Sequence, residues 1–409
     1  MKRRSHRVLR HHGFRYLVAG TAVNALGNAI TPIALAFAVL DLGGSVVQLG
    51  LVEAAFAACQ VVTTLAGGVL GDRVSRRLMM TGASVVSALV MGGLAGALLL
   101  DVATIPLIAV LGGLGGVVSA LGRPSAMAMT RLVVPQDELG DAVALRTLLQ
   151  TGASTVGYAV AGVLVAAVGS GWAIVADACT FAFAAAAFAR LRVPHVRTPR
   201  AASAVADLKD GLREVMRHSW LWLLILQALL YHLFYGGAQA VLGPVVVGQG
   251  LGRSAWGLAL SVLMAGFVTG GLLCLVWKPR RALLVGELFL VLTICFPLAM
   301  AVSDNVWVVL AGAFLHGFGL EIFSVGWDLS IQENVPEHML ARVYSFDQLG
   351  SFIARPLGLA LTGPLASAVG ERQWLVVVAG AMAVAEIAPF VLRSLWTLER
   401  RPVLQEVVV

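Results

Sequence analysis

Five acidic residues stand inside apolar stretches of this chain: Glu53, Asp177, Glu287, Glu321 and Glu386. A carboxyl group surrounded by hydrocarbon is costly when charged and takes up a proton more readily there. Such positions therefore suit reversible proton carriage, or an interhelix hydrogen bond. Glu321, Ser324 and Asp328 share one helical face, and Glu321 is the leading candidate for a coupling or substrate-binding group. Asp177, within Ala-Asp-Ala-Cys-Thr-Phe, reads first as structural, and Glu53 lies near the outer end of its segment, where it is free to be exposed. His232 and His316 belong to the one residue type that titrates near neutrality unaided, although a lone histidine in such a setting more often serves as a hydrogen-bond partner.

A second chemistry is conformational. The stretch from Gly68 to Arg77 packs Asp72, Arg73, Arg76 and Arg77 into a short connection between two apolar runs. Asp72 and Arg76, four residues apart, can pair on a helical end. A basic loop that merely sets topology explains the arginines but not the aspartate.

A third is recognition. Gln227, Tyr231, Tyr235 and Gln239 recur every four residues, and Asn24, Asn28 and Thr31 form another polar face. Aromatic rings with a few hydrogen-bonding groups suit a cavity for amphiphilic compounds, while packing between helices would use the same residues. Arg146 and Arg355 lie within apolar segments, placed near their cytoplasmic ends. Each either neutralises an acid or extends its charge to the interface; the second reading is preferred for Arg146, and the two weigh equally for Arg355.

The elements that position these residues follow from composition. Of 409 residues 59% are hydrophobic and 12% charged, about half the charged fraction usual in soluble domains, which makes the chain a polytopic membrane protein. Twelve apolar segments are expected at 14–40, 46–70, 78–100, 104–122, 143–168, 171–190, 219–247, 254–276, 282–302, 306–328, 343–368 and 373–396. All but four of the 29 basic residues fall at the two ends or in even-numbered connections. This asymmetry places both termini in the cytoplasm. Arg253 and Arg372 are the exceptions in odd-numbered connections, and Arg146 and Arg355 are those within segments.

The net charge of +7 belongs to this topology, so nucleic-acid binding is rejected. Cys59, Cys179, Cys274 and Cys295 are read as buried small residues, and the basic start as a retained cytoplasmic end rather than a cleavable signal.

The mid-chain polar stretch divides the chain into a cytoplasmic N-terminus (1–13), an N-terminal six-helix bundle (14–190), a linker (191–218), a C-terminal bundle (219–396) and a cytoplasmic tail (397–409). In the linker, Val205, Leu208, Leu212, Val215 and Met216 alternate with Lys209, Arg213 and Arg217 as in a helix at the headgroup level. A shift of 201 residues aligns Val134-Pro135 with Val335-Pro336, Leu139 with Leu340, Gly157 with Gly358, Gly162 with Gly363, and Ala167-Val168-Gly169 with Ala368-Val369-Gly370. Such a repeat implies two homologous six-helix bundles. A weaker echo, Gly270, Arg280, Arg281 and Gly286, lacks the counterpart of Asp72.

At these residues the chain resembles the major facilitator superfamily, in its bacterial twelve-helix efflux branch of macrolide and siderophore exporters. Gly68, Leu70, Asp72, Arg73, Arg76 and Arg77 match the signature loop after the second helix, with Ser75 in place of a glycine. Thr31-Pro32-Ile33-Ala34-Leu35, Arg123-Pro124, Gln332-Glu333-Asn334-Val335-Pro336, Arg355-Pro356-Leu357-Gly358 and Gly363-Pro364 are similar to the same branch. Tyr158 and Ala161 depart from the antiporter pattern of the fifth helix, and Asn28 stands where many relatives carry an aspartate, which argues against proton coupling through the first helix.

The resemblance implies an all-α membrane protein, twelve transmembrane helices in two pseudo-symmetric six-helix bundles, with a pathway between the first, fourth, seventh and tenth. It implies that Asp72 meets the N-terminal end of the eleventh helix in the outward-facing state, where the helix dipole favours negative charge. It also implies secondary active transport by alternating access, as proton-coupled efflux of a small amphiphilic compound by a monomer in the bacterial inner membrane. The alternatives are an uptake symporter or facilitator and, from another class, a receptor or sensor on a carrier scaffold. No phosphate-binding loop, ATP domain or clustered metal ligands are found in the sequence, so neither enzymatic activity nor a cofactor is expected.

Overall fold

The computed structural model describes residues 7–71, 75–191 and 204–400. Ten of its helical segments are long and apolar enough to cross a membrane. One of them, Gln136–Ala189, contains two crossings, and Ile105–Val133 adds another whose apolar part is shorter. The twelve membrane helices are α1 His12–Asp41, α2 Val46–Gly71, α3 Arg76–Leu99 and α4 Ile105–Val133, then α5 and α6 as the two arms of Leu139–Ala189 on either side of Gly169. The second set is α7 Ser219–Gln249, α8 Arg253–Val276, α9 Ala282–Val302, α10 Val306–Asn334, α11 Arg342–Val369 and α12 Glu371–Val391. An even number of crossings puts the first and last described residues on one face, called here the terminal face; the other is the far face.

Local chemistry sets the helix ends. Ser75 opens α3 by accepting the Leu78 amide at 3.3 Å, which gives a physical reason for serine where the resemblance expects glycine. Asn305 opens α10 in the same way, accepting the Trp307 amide at 2.9 Å.

The internal repeat is visible in the backbone. Val134 and Val335 are both extended and close α4 and α10, because the proline that follows each disfavours helical geometry. Gly169 and Gly370, paired by the same shift, have φ of 88° and 98° and make the breaks between α5 and α6 and between α11 and α12. Side chains rarely adopt that region, so glycine is required at both.

Equivalent packing follows. A Cβ on Gly157 would sit 2.8 Å from the Leu26 carbonyl of α1, and one on Gly358 would collide with the Leu233 carbonyl of α7. Gly162 lets α5 approach α8 at Gly257, while Gly363 lets α11 approach α2 at Val46 and Val47.

The two bundles meet toward the far face. Phe37 near the end of α1 fills the space beside Gly248 of α7, Gly50 of α2 lies on the Leu359 carbonyl of α11, and Gly162 touches Gly257. An apolar core that includes Phe37, Val245, Trp256, Leu260 and Leu359 runs through this region and joins the bundles.

Between the bundles in sequence, Ala204–Arg217 forms the linker helix. It docks on the C-terminal bundle. Val215 is buried with Trp220, Trp327, Met339 and Val343, and Gly211 seats against Phe346, while the apolar Leu212 and Met216 are exposed. The side chains of Val205, Leu208 and Lys209 lie outside the described residues. The four cysteines are free thiols but not the buried residues expected: Cys59, Cys274 and Cys295 are half-buried and Cys179 is exposed.

Candidate functional site

Beneath the closed far face, residues from both bundles converge on Arg355. The helical turns of α11 break at Ile353–Ala354, and Arg355 begins the arm Arg355–Val369 with Pro356 beside it, where a missing amide is tolerated. Its aliphatic stem lies over Gly236 of α7, where a Cβ would meet Arg355 Cγ at 3.2 Å. The guanidinium is within electrostatic range of Glu53 on α2, Tyr158 on α5, and Tyr231, His232 and Tyr235 on α7. Arg355 is half-buried and stands near the middle of α11, not near its cytoplasmic end as expected. Glu53 is also not exposed as expected: it is 6% accessible, and its Oε1 has no hydrogen-bond partner.

The tyrosine stripe of α7 does fall on one face, and that face is packed. Gln227, Tyr231 and Tyr235 are buried, while Gln239, beyond the point where α7 widens to π-type turns, is half-buried. His316 of α10 anchors the stripe. Its Nδ1–H donates to the Thr293 carbonyl at 2.7 Å, which leaves Nε2 to accept from the Tyr231 hydroxyl at 2.8 Å. The Tyr235 ring stacks on His316 at 4.3 Å. His232 instead turns Nδ1 to the Ala228 carbonyl of its own helix at 2.8 Å and packs on Phe352.

The remaining acids have separate surroundings. Asp177 is fully buried, and its Oδ2 accepts from the Thr31 hydroxyl at 2.6 Å, tying α6 to α1 across Gly27. Thr31 therefore faces α6, whereas Asn24 is half-buried and Asn28 exposed, so the expected polar face of α1 is divided. Glu321 is half-buried against Gly270 and Gly271 of α8, and Asp328 is exposed one face-repeat further along. The Ser324 hydroxyl bonds the Leu320 carbonyl at 2.8 Å instead of either acid. Arg146 does not extend to the interface as expected; it is 7% accessible and donates to the Thr130 hydroxyl of α4 at 2.7 Å.

Asp72 and Arg73 lie outside the described residues. Arg76 is half-buried. Arg77 donates at 2.5 Å to the Ala189 carbonyl, placing positive charge at the C-terminal end of α6, where the helix dipole favours it. That contact stays within the N-terminal bundle.

One constellation was not expected from the sequence. Asp41 at the end of α1 pairs with Arg253 at the start of α8, through contacts of 2.5 and 3.2 Å. Ser170 adds a third contact to Asp41 at 3.0 Å, and the guanidinium lies 5.1 Å from the Phe37 ring centre. This ion pair joins the bundles at the far face. Arg372 pairs with Asp304 on the same face, within the C-terminal bundle. The only signal for either was that Arg253 and Arg372 sit in odd-numbered connections against the prevailing charge asymmetry.

The geometry is that of two helical bundles closed at one face around a polar centre, and residues 17–359 match the family model of the Major Facilitator Superfamily. The chain belongs to the major facilitator superfamily. As a superfamily member it is a multi-pass membrane transporter rather than an enzyme. Macrolide efflux protein A of Streptococcus pyogenes is 23% identical over 375 residues, covering 88% of this chain and 91% of that protein. The multidrug efflux pump Tap of Mycolicibacterium fortuitum is 25% identical over 371 residues, covering 87% and 88%. Among solved structures, the nucleoside transporter NupG matches with a TM-score of 0.73 at 11% identity, over 94% of this chain and 99% of that one. A bacterial homolog of the human lysosomal transporter Spinster, in an inward-facing and occupied conformation, matches at 0.73 and 16% identity, over 93% and 96%. These structural likenesses carry the fold, which agrees with the expected two six-helix bundles.

Proposed function

We propose that this superfamily member is a secondary active transporter that exports small amphiphilic compounds from the bacterial cytoplasm in exchange for protons. It works by alternating access as a monomer in the inner membrane, with both termini cytoplasmic. The moving halves are 14–190 and 219–396, joined by the linker 191–218. The observation that carries the reading is the placement of Arg355 and Glu53, one from each bundle, beneath a far face closed by Asp41–Arg253 and the Gly162–Gly257 contact. A charged centre shared by two bundles and sealed on one side is what a carrier needs to hold a solute while access switches.

The chemistry of the centre fits an amphiphile. The half-buried Tyr158 supplies ring surface, backed by the packed Tyr231 and Tyr235, and Glu53 and Arg355 supply one charge of each sign. The relatives' names, macrolide and multidrug efflux, support export of such compounds. In this orientation the terminal face is cytoplasmic and the far face external, so the described state is closed to the outside.

Everted membrane vesicles containing the full chain test the reading with ethidium as probe. Accumulation that depends on the proton gradient and collapses with a protonophore is expected. Accumulation that survives the protonophore contradicts proton-driven export.

A further inference from the structure

The C-terminal bundle holds a second group of acids that the central cluster does not use. Glu287 of α9 is fully buried and Glu386 of α12 is 1% accessible. One oxygen of each accepts a hydrogen bond: Glu287 Oε2 from Gln227 Nε2 of α7 at 3.1 Å, and Glu386 Oε1 from the Thr293 hydroxyl of α9. The other oxygens, Glu287 Oε1 and Glu386 Oε2, are buried without a partner, and so is Gln227 Oε1.

All three orphan atoms are acceptors, so the cluster is short of donors. An ionised carboxylate accepts only, whereas a protonated one contributes an O–H. Among the described residues neither acid forms an ion pair with a lysine or arginine, and Glu386 lies within electrostatic range of Glu287. Two uncompensated negative charges, both buried and within electrostatic range of each other, are far more costly than a pair that carries a proton.

The neighbouring groups from each packed element are few. Helix α7 presents Gln227, Tyr231 and Tyr235, α9 presents Thr293 and Cys295, and α10 presents His316. Arg355 of α11 reaches this set through Tyr231, which feels the charge of both Arg355 and Glu386.

We propose that Glu287 and Glu386 form a proton-binding dyad, Glu386 joined to the central cluster at Arg355 through Thr293, His316 and Tyr231, and Glu287 joined to α7 through Gln227. Uptake of one proton turns one carboxylate into a neutral carboxyl whose O–H supplies one of the missing donors; release of that proton reverses this. Gln227 and Tyr231 both lie on α7, whose other end packs Gly248 on Phe37 of α1, so protonation of the dyad bears on the helix that closes the far face. The dyad rests on the proton-coupled reading and names its ion site.

Infrared difference spectroscopy on the full-length protein in liposomes tests it, comparing acidic with alkaline buffer. The parental protein is expected to show a protonated-carboxyl carbonyl band that disappears at alkaline pH, and Glu287→Gln and Glu386→Gln are each expected to reduce that band. Both variants should lose proton-driven ethidium transport while keeping ethidium exchange without a gradient. A parental protein with no titrating carboxyl band overturns the dyad without recourse to any variant. So does a band that persists unchanged in both variants, or one that answers to sodium at fixed pH. If parental transport ignores the proton gradient, the export reading fails, while the infrared band still decides whether the dyad binds protons.

Discussion

Arg253 and Arg372 break the charge asymmetry of the chain, and each does so with a carboxylate in contact. An arginine on the unfavoured face is tolerable when paired, and a pair that spans two bundles also holds them together. Asp41–Arg253 is about one-third exposed, so its contribution is that of a surface pair, about 0–1 kcal/mol. That is enough to move a two-state equilibrium by up to about fivefold. Arg253→Ala is therefore expected to raise the labelling rate of a cysteine placed in the closed far-face region by no more than that factor, and the combination Asp41→Arg with Arg253→Asp to restore it. The Asp304 carboxylate is held below the usual range by the hydrogen bond and charge of Arg372. Because that shift is downward, its stabilising effect is present at neutral pH and fades as pH falls through the carboxylate range. A small acid-induced drop in the parental melting temperature that is absent in Asp304→Asn would reveal it. Asp72 remains the one acid of the signature loop that topology does not explain, and Asp72→Asn is expected to insert normally and transport poorly; transport at the parental rate in vesicles would remove it from the gate.

At the scale of elements, the repeat was legible because its glycines and prolines mark backbone geometry. Val134-Pro135 and Val335-Pro336 close equivalent helices, and Gly169 and Gly370 turn equivalent corners. Alanine at Gly370 forces a side chain into a region that costs about 1–3 kcal/mol, so Gly370→Ala should lower the unfolding temperature in detergent, with Gly380→Ala, at an open helical site, as the neutral control. What could not be read was the direction in which each helix faces its neighbours. Spacing placed Glu321, Ser324 and Asp328 on one face, and Gln227, Tyr231 and Tyr235 on another, but spacing is silent on which helix lies opposite. Glu321 faces α8, Thr31 faces α6, and Gln227 faces Glu287, so residues that look alike in sequence have different surroundings. A helix whose faces differ little in hydropathy gives no periodic signal for its packed side, and α1 and α10 are of that kind.

At the scale of the molecule, composition and charge asymmetry gave the membrane class and the number of crossings, while the closed far face could be seen only once the bundles were placed together. Glu53 illustrates the point: its position near one end of α2 suggested exposure, yet the approach of α11 over Gly50 and Gly363 covers it. Transport on this account requires the far-face contacts of α1 with α7 and α8, α2 with α11 and α5 with α8 to open together. The most direct test is a reversible lock at that face. Cysteines at Asp41→Cys and Arg253→Cys, in a chain whose four native cysteines are replaced, can be bridged by a short cleavable thiol cross-linker in proteoliposomes. The account predicts that bridging abolishes ethidium transport, that cleavage of the linker restores it, and that a monofunctional reagent at the same sites does not block it. Transport at the unbridged rate by the fully cross-linked protein would contradict alternating access through this face.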